Sequence, residues 1–122
     1  MLYNICYYVR PTGASPVREW IARQDNSIRP NIRTKIEWLR KNGPKVEGTK
    51  SFAYISGPDK GLWELRDVGL GWRIVTYYDI EEGRYVLVFG FRKRNKKVQQ
   101  SDFAEARKLL HEYQELGGCS NE

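Results

Sequence analysis

The chain has 122 residues, 40% hydrophobic and 13% aromatic, with a mean hydropathy of −0.68, which excludes a disordered polymer and fits one folded domain with a charged surface. No apolar run is long enough to cross a bilayer. Its 21 Lys and Arg against 15 Asp and Glu leave a net charge of +6, which favours a polyanionic partner.

Leu2 to Val9, rich in Tyr, Ile and Val, predicts a first strand; it is short and lacks a basic start, so it does not read as a leader. A turn follows at Pro11 to Ala14. Ser15-Pro16 offers an N-cap and a proline at the first helical position, and Val17, Trp20 and Ile21 share one face of a short helix. Ile28, Ile32, Ile36 and Leu39 predict a second helix, with Pro30 in its first turn and Gly43-Pro44 at its end. Residues 44–60 read as a long loop with a short strand at Phe52 to Ile55, and loops of that length tend to be functional.

Leu62 to Arg66, Trp72 to Tyr78 and Tyr85 to Phe91 predict a three-strand meander, turned at 67–71 and 79–84. Arg92, Lys93, Arg94, Lys96 and Lys97 then place five cations in six positions; without them, 16 basic residues face 15 acidic ones. Ser101-Asp102 reads as the cap of a last helix whose apolar face is Phe103, Ala106, Leu109, Leu110 and Tyr113. Gly117-Gly118 ends it. The expectation is a single domain over residues 1–117 and a frayed, flexible tail over 118–122. The order βααβββα predicts an α+β fold with a mainly antiparallel sheet, two N-terminal helices and a C-terminal helix.

Cys6 and Cys119 lie near opposite ends, and nothing resembles a disulfide framework, so reduced thiols and a cytoplasmic setting are expected. One histidine, His111, and no clustered ligand spacing give no reason to expect a metal or another cofactor.

Four pieces of the chain carry a family pattern in one order. SPVREWIARQ followed by IRTKIEWLRKNG, then LWELR, then GWRIVTYY, then VLVFGFRKRNKK leading into DFAEARKLLHEY are similar to the successive motifs of the RelE/ParE superfamily of bacterial toxins. Within it the chain most resembles the HigB-like, phage-derived branch. The resemblance implies a RelE-like fold and a metal-independent endoribonuclease that cleaves mRNA, on the ribosome. It implies inhibition by a cognate antitoxin, a helix-turn-helix HigA-like protein in this branch, and no membrane. Its ParE branch shares the fold but acts by binding gyrase, so a non-catalytic, protein-binding toxin or a plain nucleic-acid-binding module is the alternative. The chain departs from the pattern twice: Val98 stands where the family often has a proline, and neither His nor Tyr occurs between Phe91 and His111.

Metal-free RNA cleavage uses the ribose 2′-hydroxyl as nucleophile and passes through a doubly charged phosphorane. Arginine suits that charge because its planar fork engages two phosphate oxygens at once. The family pattern puts Arg73 in the middle strand as a phosphate clamp, Lys93 at the end of the third strand, and Arg66 at the end of the first; these three are the expected catalytic residues. Strand alternation puts Arg73 and Lys93 both at odd positions, so that a common face depends on the pairing register, and turns Arg92 the other way from Lys93. Glu64, two residues before Arg66, reads either as its ion-pair partner or as a general base. Lys50, Lys60, Arg92, Arg94, Lys96 and Lys97 are expected to contact RNA phosphates without reading sequence. Trp63, Trp72, Tyr77 and Tyr78 fit either base stacking or the core, and His111 reads as a helix residue rather than a catalyst.

Overall fold

A computed structural model of the chain describes residues 2–55, 61–93 and 96–121, the side chains of 96–98 excepted. Strand β1 (Ile5–Tyr8) leads into helices α1 (Pro16–Ala22) and α2 (Arg29–Asn42), and a 3-10 turn follows at Gly43–Val46. Then come β2 (Phe52–Tyr54), β3 (Leu62–Asp67), β4 (Trp72–Asp79), β5 (Arg84–Arg92), α3 (Lys96–Leu116) and β6 (Cys119–Ser120). The strands form one sheet in the order β2-β3-β4-β5-β1-β6, antiparallel except where β1 runs parallel to β5. The expected α+β architecture is present, with helices on both faces of the sheet.

One face packs Ile5, Phe52, Leu65, Trp72, Ile74, Tyr85 and Leu87 against Val17, Trp20 and Ile21 of α1 and Ile32, Ile36 and Leu39 of α2. The other buries Cys6, Tyr8, Val86, Val88, Val75 and Phe91 under Ala106, Leu109, Leu110 and Tyr113 of α3. Central strands covered on both sides need apolar residues at nearly every position, which is why β5 reads YVLVFGF without alternation. The close approach of α1 is set at Gly90: a Cβ there would collide with the Trp20 ring.

A bulge interrupts the β4–β5 ladder. Thr76 pairs with Leu87 and Val75 with Phe89, so Val88 is the extra residue. Val88 and Phe89 both face α3, and the inward parity of β5 switches from even to odd residues. Phe91 therefore lies on the α3 face, opposite Arg73.

Three expectations are corrected. Helix α3 starts at Lys96, five residues before Ser101: KKVQQ contains no Gly or Pro to stop a helix, and Asp102 is buried rather than an exposed cap. The tail is not frayed at Cys119–Ser120, which pair with Tyr7 and Tyr8 of β1 as β6. The thiols are not reduced: Cys6 and Cys119 form a disulfide, with Cα atoms 5.6 Å apart. Gly118, at φ +101°, makes this geometry accessible; it turns the chain back against β1, where its carbonyl accepts the Val9 N–H at 3.1 Å.

Candidate functional site

Arg66 and Arg73 are direct cross-strand partners on β3 and β4, on the α3 side of the sheet. Two like charges placed opposite each other destabilise a ladder unless a counter-charge lies between them. Glu64 supplies it. Only 3% exposed, it accepts a hydrogen bond on Oε1 from Arg66 Nη1 at 3.0 Å and another on the same oxygen from Arg73 Nη1. Arg66 is fixed further by its Nε, which donates to the Lys50 carbonyl at 2.6 Å. The long loop thus contributes its backbone to the position of this guanidinium.

These side chains line a cleft of about 290 Å³, completed by Ala53, Tyr54 and Ile55 at the edge of the sheet and by Phe103 and Arg107 of α3. Three guanidiniums against one carboxylate give its lining a net positive charge. Phe103 packs edge-on to Phe91 at 5.4 Å, so the bulge in β5 also sets one wall. Tyr54 borders the cleft, but its pairing with Trp63 directs its ring to the opposite face, where the two rings meet at 5.3 Å.

The structure brings together Arg66, Arg73 and Glu64, and adds Arg107 and Phe103. Arg107 was not among the residues singled out from sequence; its signal is the four-residue spacing from Phe103, which puts the two on one helix face. Lys93 follows Phe91 past the end of β5 and is exposed; its backbone N–H donates to the Gly71 carbonyl at 2.6 Å, and it does not line the cleft. Arg92 points the other way, as expected, and its Nη2 donates to the Leu70 carbonyl at 2.8 Å. The Lys50 side chain is exposed. Lys60 and Arg94 lie outside the described residues; Lys96 and Lys97 fall in the first turn of α3, with side chains outside the description.

Trp72 is fully buried, with Nε1 donating to Asn31 Oδ1 at 2.7 Å, and Trp63 is wedged between Phe52 and Tyr54. Neither ring is presented for stacking in the cleft. Exposed His111 lies farther along α3, outside the cleft lining. A larger hollow of about 590 Å³ lies between α1, β5 and Asp102, but two of its arginines are engaged: Arg10 with Glu112 at 2.9 Å and Arg92 with the Leu70 carbonyl. Among the described residues no cluster of His, Cys, Asp and Glu could hold a metal ion, and no helix is long and apolar enough to cross a membrane.

Residues 19–111 match the model of a family described as phage-derived protein Gp49-like. The chain belongs to that family. Its fold is that of the RelE toxins: the crystal structure of the isolated E. coli RelE toxin superposes with a TM-score of 0.53 at 14% identity, covering 88% of this chain and 98% of that one. No curated protein sequence matches the chain. On the RelE-like frame the Glu64–Arg66–Arg73 cluster sits on the first two strands of the meander, under the C-terminal helix.

Proposed function

We propose that this Gp49-like chain is the toxin of a toxin–antitoxin pair and a metal-independent endoribonuclease that cleaves mRNA on the ribosome. The observation that carries the reading is the cross-strand pair Arg66–Arg73 held by buried Glu64, a preorganised double cation on rigid strands. In the proposed reaction the ribose 2′-hydroxyl gives its proton to water as its oxygen attacks the adjacent phosphorus, the P–O5′ bond breaks as the 2′,3′-cyclic phosphate forms, and the departing 5′-oxygen takes a proton from Lys93 or water. Arg73 and Arg66 bind the non-bridging oxygens as charge develops. Glu64 is the positioning residue for both. Lys93 is assigned to the leaving-group side from the end of β5, and Lys50, Lys60, Arg92, Arg94, Lys96 and Lys97 hold the flanking backbone.

The partners on this reading are mRNA, the ribosome and a helix-turn-helix antitoxin, and the setting is the cytoplasm on the strength of those partners alone, since the Cys6–Cys119 disulfide removes the argument from reduced thiols. The test supplies purified chain with ribosomes and message and maps new RNA ends, beside Arg73→Ala. Intact message with wild-type protein would sink the reading. One observation favours a second reading, a toxin that binds a protein target without cutting RNA: the tyrosine bordering the cleft, Tyr54, turns its ring away from it. Toxicity in cells without new RNA ends would select that one.

A further inference from the structure

The basic run at 92–97 is not the only concentration of charge. Residues 16–46, which hold α1 and α2, carry eight Lys and Arg against three Asp and Glu. Removing that segment leaves 13 basic against 12 acidic residues, the same near-balance that removing the run leaves. Because α1 and α2 pack on the sheet face opposite α3, this second charge faces away from the cleft.

Its side chains are ordered rather than simply solvated. The Arg18 guanidinium lies over the Tyr7 ring at 5.0 Å, and the Lys35 ammonium lies over Trp38 at 5.5 Å. Arg33 borders two hollows, one of about 250 Å³ with Tyr7 and Arg18, the other of about 410 Å³ with Thr34, Glu37, Trp38 and Lys41; Glu37 stands between Arg33 and Lys41 and is engaged by Arg40 Nε at 3.0 Å. Arg33 and Lys41 are exposed on the same stripe of α2, about 12 Å apart along its axis, a span of several phosphates.

We propose that the outer face of α1 and α2 is a second nucleic-acid site, which takes the backbone of double-helical RNA through Arg18, Arg33 and Lys41. The preference for a duplex follows from the rings. Single-stranded RNA is held largely by stacking on open aromatic faces. Here Tyr7 and Trp38 are packed against the core and each has a cation over its ring, which disfavours base stacking and favours phosphate and ribose contacts. Duplex RNA is recognised by such contacts. The choice of RNA over DNA rests on the ribonuclease reading; the existence of the cationic face does not.

The test is a fluorescence-anisotropy titration of a labelled RNA duplex of about 16 base pairs at several salt concentrations. Wild type is compared with Arg33→Ala/Lys41→Ala, with the triple variant adding Arg18→Ala, and with Arg66→Ala/Arg73→Ala. The expected result is that the triple variant binds roughly tenfold more weakly and lowers the log–log salt slope by about 2–3, close to 0.9 for each phosphate no longer neutralised. The cleft variant should lose RNA cleavage and keep duplex binding, so that failure of the ribonuclease reading and failure of this one are separable. Unchanged melting temperatures of the Arg33 and Lys41 variants would show that the fold is kept. The proposal is overturned if the triple variant binds like wild type, if the single strand or the DNA duplex of the same sequence binds as tightly, or if poly-glutamate competes equally, which would indicate an acidic protein instead.

Discussion

Arg66 and Arg73 stand directly opposite one another on β3 and β4, and both guanidiniums end on the same oxygen of Glu64. The pairing fixes two positive charges on the sheet, where strand geometry allows little movement. For the proposed cleavage, Arg73→Ala should lower the rate on the order of 10²–10³-fold, the usual cost of one preorganised donor, while the far-UV spectrum stays unchanged. Activity within a factor of a few of wild type would remove Arg73 from the site.

Glu64→Ala should be the most destabilising single change in the cleft. It leaves two partly buried arginines facing each other without a counter-charge, and breaking such a cluster from one side costs about 3 kcal/mol or more. Arg66→Ala, which leaves the Glu64–Arg73 pair in place, should cost less. Urea midpoints at neutral pH give the comparison, and equal midpoints for the two variants would contradict it.

Arg107 reaches the cleft from a different layer of the fold. On the proposed reading, Arg107→Ala should weaken RNA binding and flatten its salt dependence by about one phosphate's worth of slope. A stability loss as large as that of Glu64→Ala would instead make Arg107 a packing residue.

The Cys6–Cys119 bond closes a loop of nearly the whole chain, with a sequence separation of 113. On the chain-entropy account such a bond is worth about 4–5 kcal/mol through the unfolded state. Reductant, or the pair Cys6→Ser and Cys119→Ser, should lower the urea midpoint, and amides of β6 should exchange faster. Free-thiol labelling of the native protein without reductant would refute the bond.

Two networks around α3 give stability a pH dependence. Burial works against the Asp79 charge, but hydrogen bonds from the Tyr113 hydroxyl at 2.5 Å and from the backbone of Glu82 and Glu81 outweigh it, so its pKa lies below the ordinary value. Glu112 is also lowered, by hydrogen bonds from Arg10 and Tyr8. Folded pKa values below unfolded ones mean that stability is present above about pH 4 and is lost as the pH falls further. Tyr113 runs the other way: burial and its bond to Asp79 push it up to about 12. That contribution is full below about pH 10, where a free tyrosine titrates, and is lost as the pH rises towards 12. Urea midpoints across pH should show both flanks, and Tyr113→Phe should reduce both, since it removes the hydrogen bond to Asp79 from the acid one and leaves only the raised Tyr8 and Tyr85 on the alkaline one.

Periodicity and turn chemistry alone determined the meander, the apolar faces and the helices apart from the start of α3, because side-chain spacing of 3.6 or 2 residues is written locally. Arg66 and Arg73 are marked by the resemblance to the toxin family, and spacing adds that Glu64 and Arg66, two apart on one strand, share a face. The bulge at Val88 left no such trace: an apolar run reads the same whichever face each residue takes. Only the packed structure decided that Phe91 lies on the α3 face and that Phe103 and Arg107, from a helix beyond the meander, close the cleft. It alone joined Cys119 to Cys6, because a contact between chain ends depends on where every intervening element packs. The total charge was equally plain in the sequence, but its division between two opposite faces depended on the sheet standing between α1–α2 and the cleft.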